Sequence, residues 1–284
     1  MSRLQRIARR HGTSPMRALM REGFVRAYQR RWLRPFLRIP YRACEPQGWI
    51  FMGGSYNAGT TIIKNAVLAH PQVAGMPVEG DVLSGAFTDF EQGGFPRGMF
   101  ANQEWIDAER ASGSLDAAAI RSDWAPWVQP DQFFLDKAIA NTVRIPLLRR
   151  AFPGARFVGV VRHPEDVSAG IRKRSRPASG GEYEQQFLDD QWRYFYRTLL
   201  SDAESDTVLV SYEAFIESPV SELERLYFEL GLPAMDMSWD GGTLCVGDCA
   251  LSIRPLPVER PAFSSARMQI EHELEQMQGQ GAES

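Results

Sequence analysis

The sequence predicts an α/β fold, a single P-loop-like domain whose central parallel sheet is flanked by helices. Three observations carry that expectation. An apolar run at 48–54 leads through a glycine-rich turn, from Gly53 to Gly59, into an apolar helix, which is the order of a strand, an anion-sized turn and a helix start. Two further short runs, 156–161 and 206–211, precede helix-length amphipathic segments, so strands and helices alternate as crossovers between parallel strands require. Finally, 284 residues at 44% hydrophobic and 24% charged have the composition of an ordinary globular domain with a sizeable core.

Residues 1–46 read as a basic amphipathic arm, in which Met20, Phe24, Tyr28 and Trp32 recur at i, i+4 along one helical face. A linker from Pro40 to Pro46 separates it from the α/β domain at 47–262. There the predicted strand 48–54 enters the turn, and helix 59–69 leaves it and ends before Pro71, because the residue preceding a proline is pushed out of the helical region. Residues 75–135 form a long irregular insert rich in Gly, Pro, Phe and Trp, with helices only near 102–111 and 114–122. Such loops commonly carry binding surfaces, so this one is expected to form a ligand-binding wall.

A helix at 141–151, a Phe152-Pro-Gly-Ala turn and strand 156–161 follow. Pro164 then opens a helix with Glu165 and Asp166 in its first turn and Arg172, Lys173 and Arg174 near its end, matching the helix dipole at both termini. Helix 184–200, strand 206–211 and helix 219–230, stopped by Gly231 and Pro233, complete the alternation. Residues 263–284 read as a C-terminal helix whose Glu/Gln/Gly-rich end frays after Glu275.

The net charge of −3 hides an asymmetry, since residues 1–44 hold twelve arginines and a single acid, Glu22, which leaves the body strongly acidic. A basic amphipathic helix of this kind could lie on an anionic membrane or dock on the protein's own acidic body. Nucleic acid is not an expected partner, because the arm's aromatics follow helical spacing and the body is acidic. No run approaches the ~18 consecutive apolar residues of a membrane span, and no secretory apolar core opens the chain. The expected location is therefore cytoplasmic, at the inner membrane surface if the arm meets lipid. Cys44, Cys245 and Cys249 lack the histidine or second cysteine pair of a zinc site, so no metal is expected.

Chemistry concentrates in the turn. Small residues let its backbone close around an anion, while Thr60 and Thr61 place hydroxyls and free amides at a helix start where the dipole favours negative charge. From Gly54 the spacing is G-x-x-x-x-G, but Thr60-Thr61 stand where a nucleotidase has its lysine and magnesium-binding hydroxyl, which disfavours ATP or GTP hydrolysis.

Four segments line up in order: the turn at 51–65; Asp136-Lys137 with 141–146; the run from Phe152 through Arg162-His-Pro-Glu-Asp-Val167; and Val210-Ser-Tyr-Glu-Ala-Phe215 running into 226–233. Together they resemble the PAPS-dependent sulfotransferases, the bacterial and carbohydrate branch in particular, over about residues 48–235. The resemblance implies that Ser55, Asn57, Ala58, Gly59, Thr60 and Thr61 cradle the 5′-phosphosulfate of the co-substrate 3′-phosphoadenosine 5′-phosphosulfate (PAPS), without metal. It implies a charge-assisted bond from Arg162 to the 3′-phosphate, with Ser168 on the following helix, Tyr212 beside the nucleotide and Arg254 as a C-terminal basic contact.

Sulfuryl transfer between two oxygens needs a base for the acceptor proton and a cation for the charge on the bridging oxygen. The resemblance makes Glu79, in Gly75-Met-Pro-Val-Glu79, the base. Lys137, one of only three lysines with Lys64 and Lys173, matches the family's Glu-Lys-Thr-Pro lysine in the form Asp136-Lys137-Ala138-Ile139. The implied acceptor is a hydroxyl, on a carbohydrate or a lipid-linked molecule. Trp105, Trp124, Trp127, Phe133 and Phe134 either stack on it or pack in the core. His70 and His163 read as a helix-end cap and a loop residue, not as bases.

Two positions depart from the family pattern. The loop's cationic residue is Asn57, so Lys137 or Lys64 is expected to supply the missing charge. The serine eight residues after Arg162 is Gly170, and Ser168 lies about 200° away around the helix. These losses frame the alternative reading, a non-catalytic nucleotide-binding relative acting as a binding module.

Overall fold

The computed structural model describes residues 15–30, 32–254, 256, 263 and 265–282. Its central sheet has five parallel strands, β1 Gly48–Gly54, β2 Val73–Gly75, β3 Phe133–Lys137, β4 Arg156–Val161 and β5 Thr207–Ser211, in the order β2-β3-β1-β4-β5. Side chains alternate across it. On β1, Trp49 and Phe51 join one core with Trp124, Phe134 and Phe157, whereas Ile50 and Met52 join the other with Ile63, Leu135, Val158 and Leu226. Both faces are thus covered by helices, as a parallel sheet requires.

Helices Thr60–Val67, Asn141–Ala151, Pro164–Arg174, Gln185–Asp202 and Pro219–Glu229 occupy the expected segments. The insert contains Gln103–Ser112 and Ala117–Trp124, with a short helix Gly80–Leu83 and a 3-10 turn Met99–Asn102. β3 begins inside the stretch read as irregular and runs two residues past it: Phe-Phe-Leu-Asp-Lys is only five residues and ends in charges, so its strand character comes from pairing with β1 on one side and β2 on the other.

A second sheet was not foreseen. β6 Met237–Trp239, β7 Thr243–Val246 and β8 Cys249–Ser252 form an antiparallel meander whose Leu244 and Val246 enter the same core as Ile63. Helix Ala266–Ala282 forms the C-terminal segment, with Gln269, Ile270, Glu273 and Leu274 buried.

The basic arm forms helix Pro15–Gln29 and a short helix Arg34–Leu37. Val25 and Tyr28 are buried, and the Tyr28 hydroxyl donates to the Asp123 carbonyl at 2.7 Å. Asp123 also pairs with Arg34 at 3.5 Å and Arg38 at 3.2 Å, so this part of the arm docks on the acidic body, while Trp32, Phe36 and Ile39 stay exposed. Residues 1–14 of the arm lie outside the described residues. Among the described residues, no helix is long and apolar enough to cross a membrane.

Parallel strands share one C-terminal edge. The pairs Met52 with Lys137, Gly54 with Val160, and Val161 with Ser211 therefore bring the glycine turn, Lys137, Arg162 and Tyr212 side by side from distant parts of the chain.

Candidate functional site

The turn after β1 hangs from two buried side chains. Gly54 N donates to Thr142 Oγ1 at 2.6 Å, and Ser55 N donates to the Tyr196 hydroxyl at 3.3 Å. Those hydroxyls in turn donate to the carbonyls of Gly54 and Val160. Asn57 and Gly59 are left-handed, at φ 60° and 89°. Gly59 is required twice over, because a Cβ there would also lie 2.1 Å from the Tyr212 ring. Helix Thr60–Val67 starts directly after it, and no hydrogen bond among the described residues takes up the amides of Gly59, Thr60 and Thr61. The helix start thus presents free donors and the positive end of its dipole.

Ser55 Oγ and Asn57 Nδ2 of the turn and Arg162 Nε beside it are buried without hydrogen-bond partners, as is Ser168 Oγ on helix Pro164–Arg174. Buried polar atoms are normally satisfied, so such a group of donors fits an anionic ligand. Arg162 follows β4, its carbonyl fixed by Trp192 Nε1 at 3.0 Å. Its Nη1 donates to the Asn57 carbonyl at 3.0 Å, and its guanidinium lies 4.3 Å from the centre of the Tyr212 ring. Tyr212 opens a helix capped by Ser211.

Arg174, which sequence reasoning missed, donates to Asn57 Oδ1 at 2.6 Å. Its position in a basic cluster at a helix end made it look like a complement to the dipole. Gly170 explains the fit: a Cβ there would meet Asn57 Cβ at 2.9 Å, so the two departures from the family pattern face each other. No described contact joins Ser168 or the exposed Arg254 to the turn. Lys64 lines a cleft with Asn65, Leu68 and Cys249.

On the other side of β1, Lys137 Nζ donates to Glu79 Oε1 in a short ion pair. The two residues held apart by 58 positions of sequence meet because β2 and β3 are neighbours, with Gly75 at the end of β2 paired with Leu135, two residues before Lys137. Asp136 completes the clasp, its Oδ1 accepting from Gly80 N at 2.8 Å and its Oδ2 from Asn141 Nδ2 at 2.9 Å. Burial raises the Asp136 pKa to about 7, against the opposing hydrogen bond from Asn141. Gly80 cannot carry a side chain, since a Cβ would lie 2.5 Å from the Trp124 ring.

A cavity of about 350 Å³ opens beside Glu79, lined by Tyr56, Phe87, Phe90 and Met99 among others. None of the five aromatics weighed as acceptor contacts lines it. Trp124, Trp127 and Phe134 are buried core residues, Phe133 packs against the other core, and Trp105 is exposed. His70 ties the end of its helix to the body, its Nδ1 accepting from Gln72 N at 3.1 Å while Nε2 meets the Pro233 carbonyl at 3.2 Å. His163 caps helix Pro164–Arg174, and its amide donates to buried Glu213 at 3.0 Å. Among the described residues, no group of three or more His, Cys, Asp and Glu is arranged to hold a metal ion.

The chain matches the sulfotransferase family over residues 49–236. A Caenorhabditis briggsae protein provisionally named a protein-tyrosine sulfotransferase is 23% identical over 185 residues, which is 62% of this chain, and the chain spans 63% of that relative's length. Among solved structures, a Mycobacterium tuberculosis sulfotransferase superposes with a TM-score of 0.49 at 14% identity, covering 78% of this chain and 77% of that one. One from Alicyclobacillus acidocaldarius gives 0.46 at 16% identity, covering 67% and 82%. The family match spans the parallel sheet together with the turn and the strand ends that meet at its C-terminal edge, and the chain belongs to the sulfotransferase family.

Proposed function

We propose that this protein transfers a sulfuryl group from PAPS to a hydroxyl acceptor. The observation that carries the reading is the juxtaposition, at one strand edge, of a loop rich in partnerless donors and the Glu79–Lys137 ion pair. When bound, the donor supplies a sulfuryl group whose bond to the 5′-phosphate breaks as the acceptor oxygen bonds to sulfur, the electron pair leaving with the phosphate.

The protein's residues divide the remaining work. The amides of Gly59, Thr60 and Thr61 hold the phosphosulfate oxygens, and Arg162, braced between Asn57 and Tyr212, holds the 3′-phosphate. Glu79 takes the proton of the acceptor hydroxyl. Lys137 occupies its Oε1, which leaves the other carboxylate oxygen for that proton, and the side chain is 37% exposed and within reach of an acceptor. Lys137, paired with Glu79, balances charge that develops on the bridging oxygen. Arg174 restores at the turn the positive charge that Asn57 lacks.

Purified protein titrated with 3′-phosphoadenosine 5′-phosphate (PAP), and separately with ATP plus magnesium, tests the donor through the shift in melting temperature. Stabilisation by the bisphosphate, followed by PAPS-dependent ester formation, is expected. Stabilisation by ATP alone would sink the proposal, whereas bisphosphate binding without transfer to any hydroxyl would favour a binding module.

A further inference from the structure

Resting on the sulfotransferase reading, we infer that the acceptor is a cationic alcohol or phenol, whose protonated amine or quaternary ammonium group sits in the cavity beside Glu79. The cavity is bounded by Tyr56 of the turn, by residues between Glu79 and Gln92, and by Met99, Ile139 and Ala140. Four of its lining residues are acids, Glu79, Asp81, Asp89 and Glu91, and none is basic.

The two cations that contact Glu79 and Asp81 are already committed. Lys137 pairs with Glu79. Arg144 is fully buried behind the wall, where its Nε donates to Glu109 at 2.6 Å and its Nη2 to the Thr88 carbonyl at 2.6 Å. It reaches Asp81 Oδ2 only at 3.4 Å. The other Asp81 oxygen, Oδ1, is buried and has no partner. Burial raises the pKa of this carboxyl, with Arg144 opposing, and an ammonium group against the unpartnered Oδ1 would supply the donor that atom lacks.

Apolar surface completes the cavity. Phe87, Phe90 and Met99 are buried and can cover the body of a small acceptor, while exposed Asp89 and Glu91 stand along the same lining. A cation held by these carboxylates would leave the hydroxyl end of the molecule to reach Glu79. The two halves of the site then have opposite signs, donors for an anion at the turn and carboxylates for a cation in the cavity. An anionic acceptor meets like charge at exposed Asp89 and Glu91 on entry.

The test uses matched acceptors on two scaffolds: tyramine, p-cresol and 4-hydroxyphenylacetate, and glucosamine, glucose and glucuronate. Calorimetric titration of the full chain, with and without PAP, reads binding independently of turnover, and kcat/KM with PAPS reads transfer. The amine of at least one scaffold is expected to exceed its neutral analogue by about tenfold or more in both readouts, with the carboxylate weakest. The double variant Asp89→Asn/Glu91→Gln should narrow that gap through KM, and its melting temperature controls for folding.

Equal or stronger binding by the neutral or anionic analogues, an undiminished gap in the double variant, or no binding by either amine overturns the inference. Failure of the donor reading appears separately. In that case PAP produces no thermal shift and no analogue is sulfated, while the titrations without nucleotide still decide whether the cavity selects amines.

Discussion

The two sides of β1 solve opposite electrostatic problems with different materials. On the β4 side the turn is made of backbone, small side chains and left-handed residues, and its positive character comes from unpaired amides and a helix start. On the β3 side the same strand edge is built from long-range pairs, Glu79 with Lys137, Asp136 with Gly80, and Arg144 with Glu109 and Asp81. A backbone cradle is specified by a few consecutive residues. A network of charges is specified only when separate segments fold against each other.

That contrast predicts how each side breaks. The largest effect is expected on the β3 side, where Glu79→Gln should lower kcat by about 10²–10⁴-fold, the usual contribution of a general base, while leaving the thermal shift with PAP intact. Loss of that shift would move Glu79 from catalysis to donor binding. On the β4 side, Gly59→Ala should abolish the PAP shift and lower the melting temperature, by about 2 kcal/mol of stability, because it forces a left-handed alanine into the Tyr212 ring. A variant that keeps both would show that the turn yields.

Arg162→Ala removes a charge-assisted contact and should weaken PAP binding by about 2 kcal/mol, or roughly thirtyfold, with a smaller change in kcat. Arg174→Ala, acting on an exposed side chain, should cost less than Arg162→Ala in binding. An effect on kcat with unchanged PAP affinity would place its charge near the bridging oxygen instead.

The smallest expected effect sharpens the comparison through pH. The raised pKa of Asp136 means that the native state prefers its protonated form. The stability it lends is full below the ordinary value of 3.8 and is lost as pH rises through about 7. Asp136→Asn should flatten the decline in melting temperature across that window, and an unchanged slope would assign the decline to other groups.

Much of the fold was legible. Strand β1, the turn, the helices that follow it and strands β4 and β5 announce themselves through local apolar runs and Gly or Pro punctuation, and the motif order carried the family. β3 was not legible, because five residues ending in Asp136 and Lys137 form a strand only between two neighbours. The β6–β8 meander was missed for a related reason: its buried residues are few and scattered, and they pack on a core assembled from elsewhere.

The candidate site divides along the same line. The sequence by itself determined that an anion-sized turn precedes a helix, that Arg162 ends a buried strand and that Glu79 and Lys137 follow apolar runs, since each is a property of neighbouring residues. Only the tertiary structure decided that Glu79 meets Lys137, that Arg174 reaches Asn57, and that Gly170 makes room for that contact. It also decided that the arm docks through Tyr28, Arg34 and Arg38 and that acids line the cavity beside Glu79. The physical reason is strand order: β3 inserts between β2 and β1, which places side chains from three separate segments at one edge.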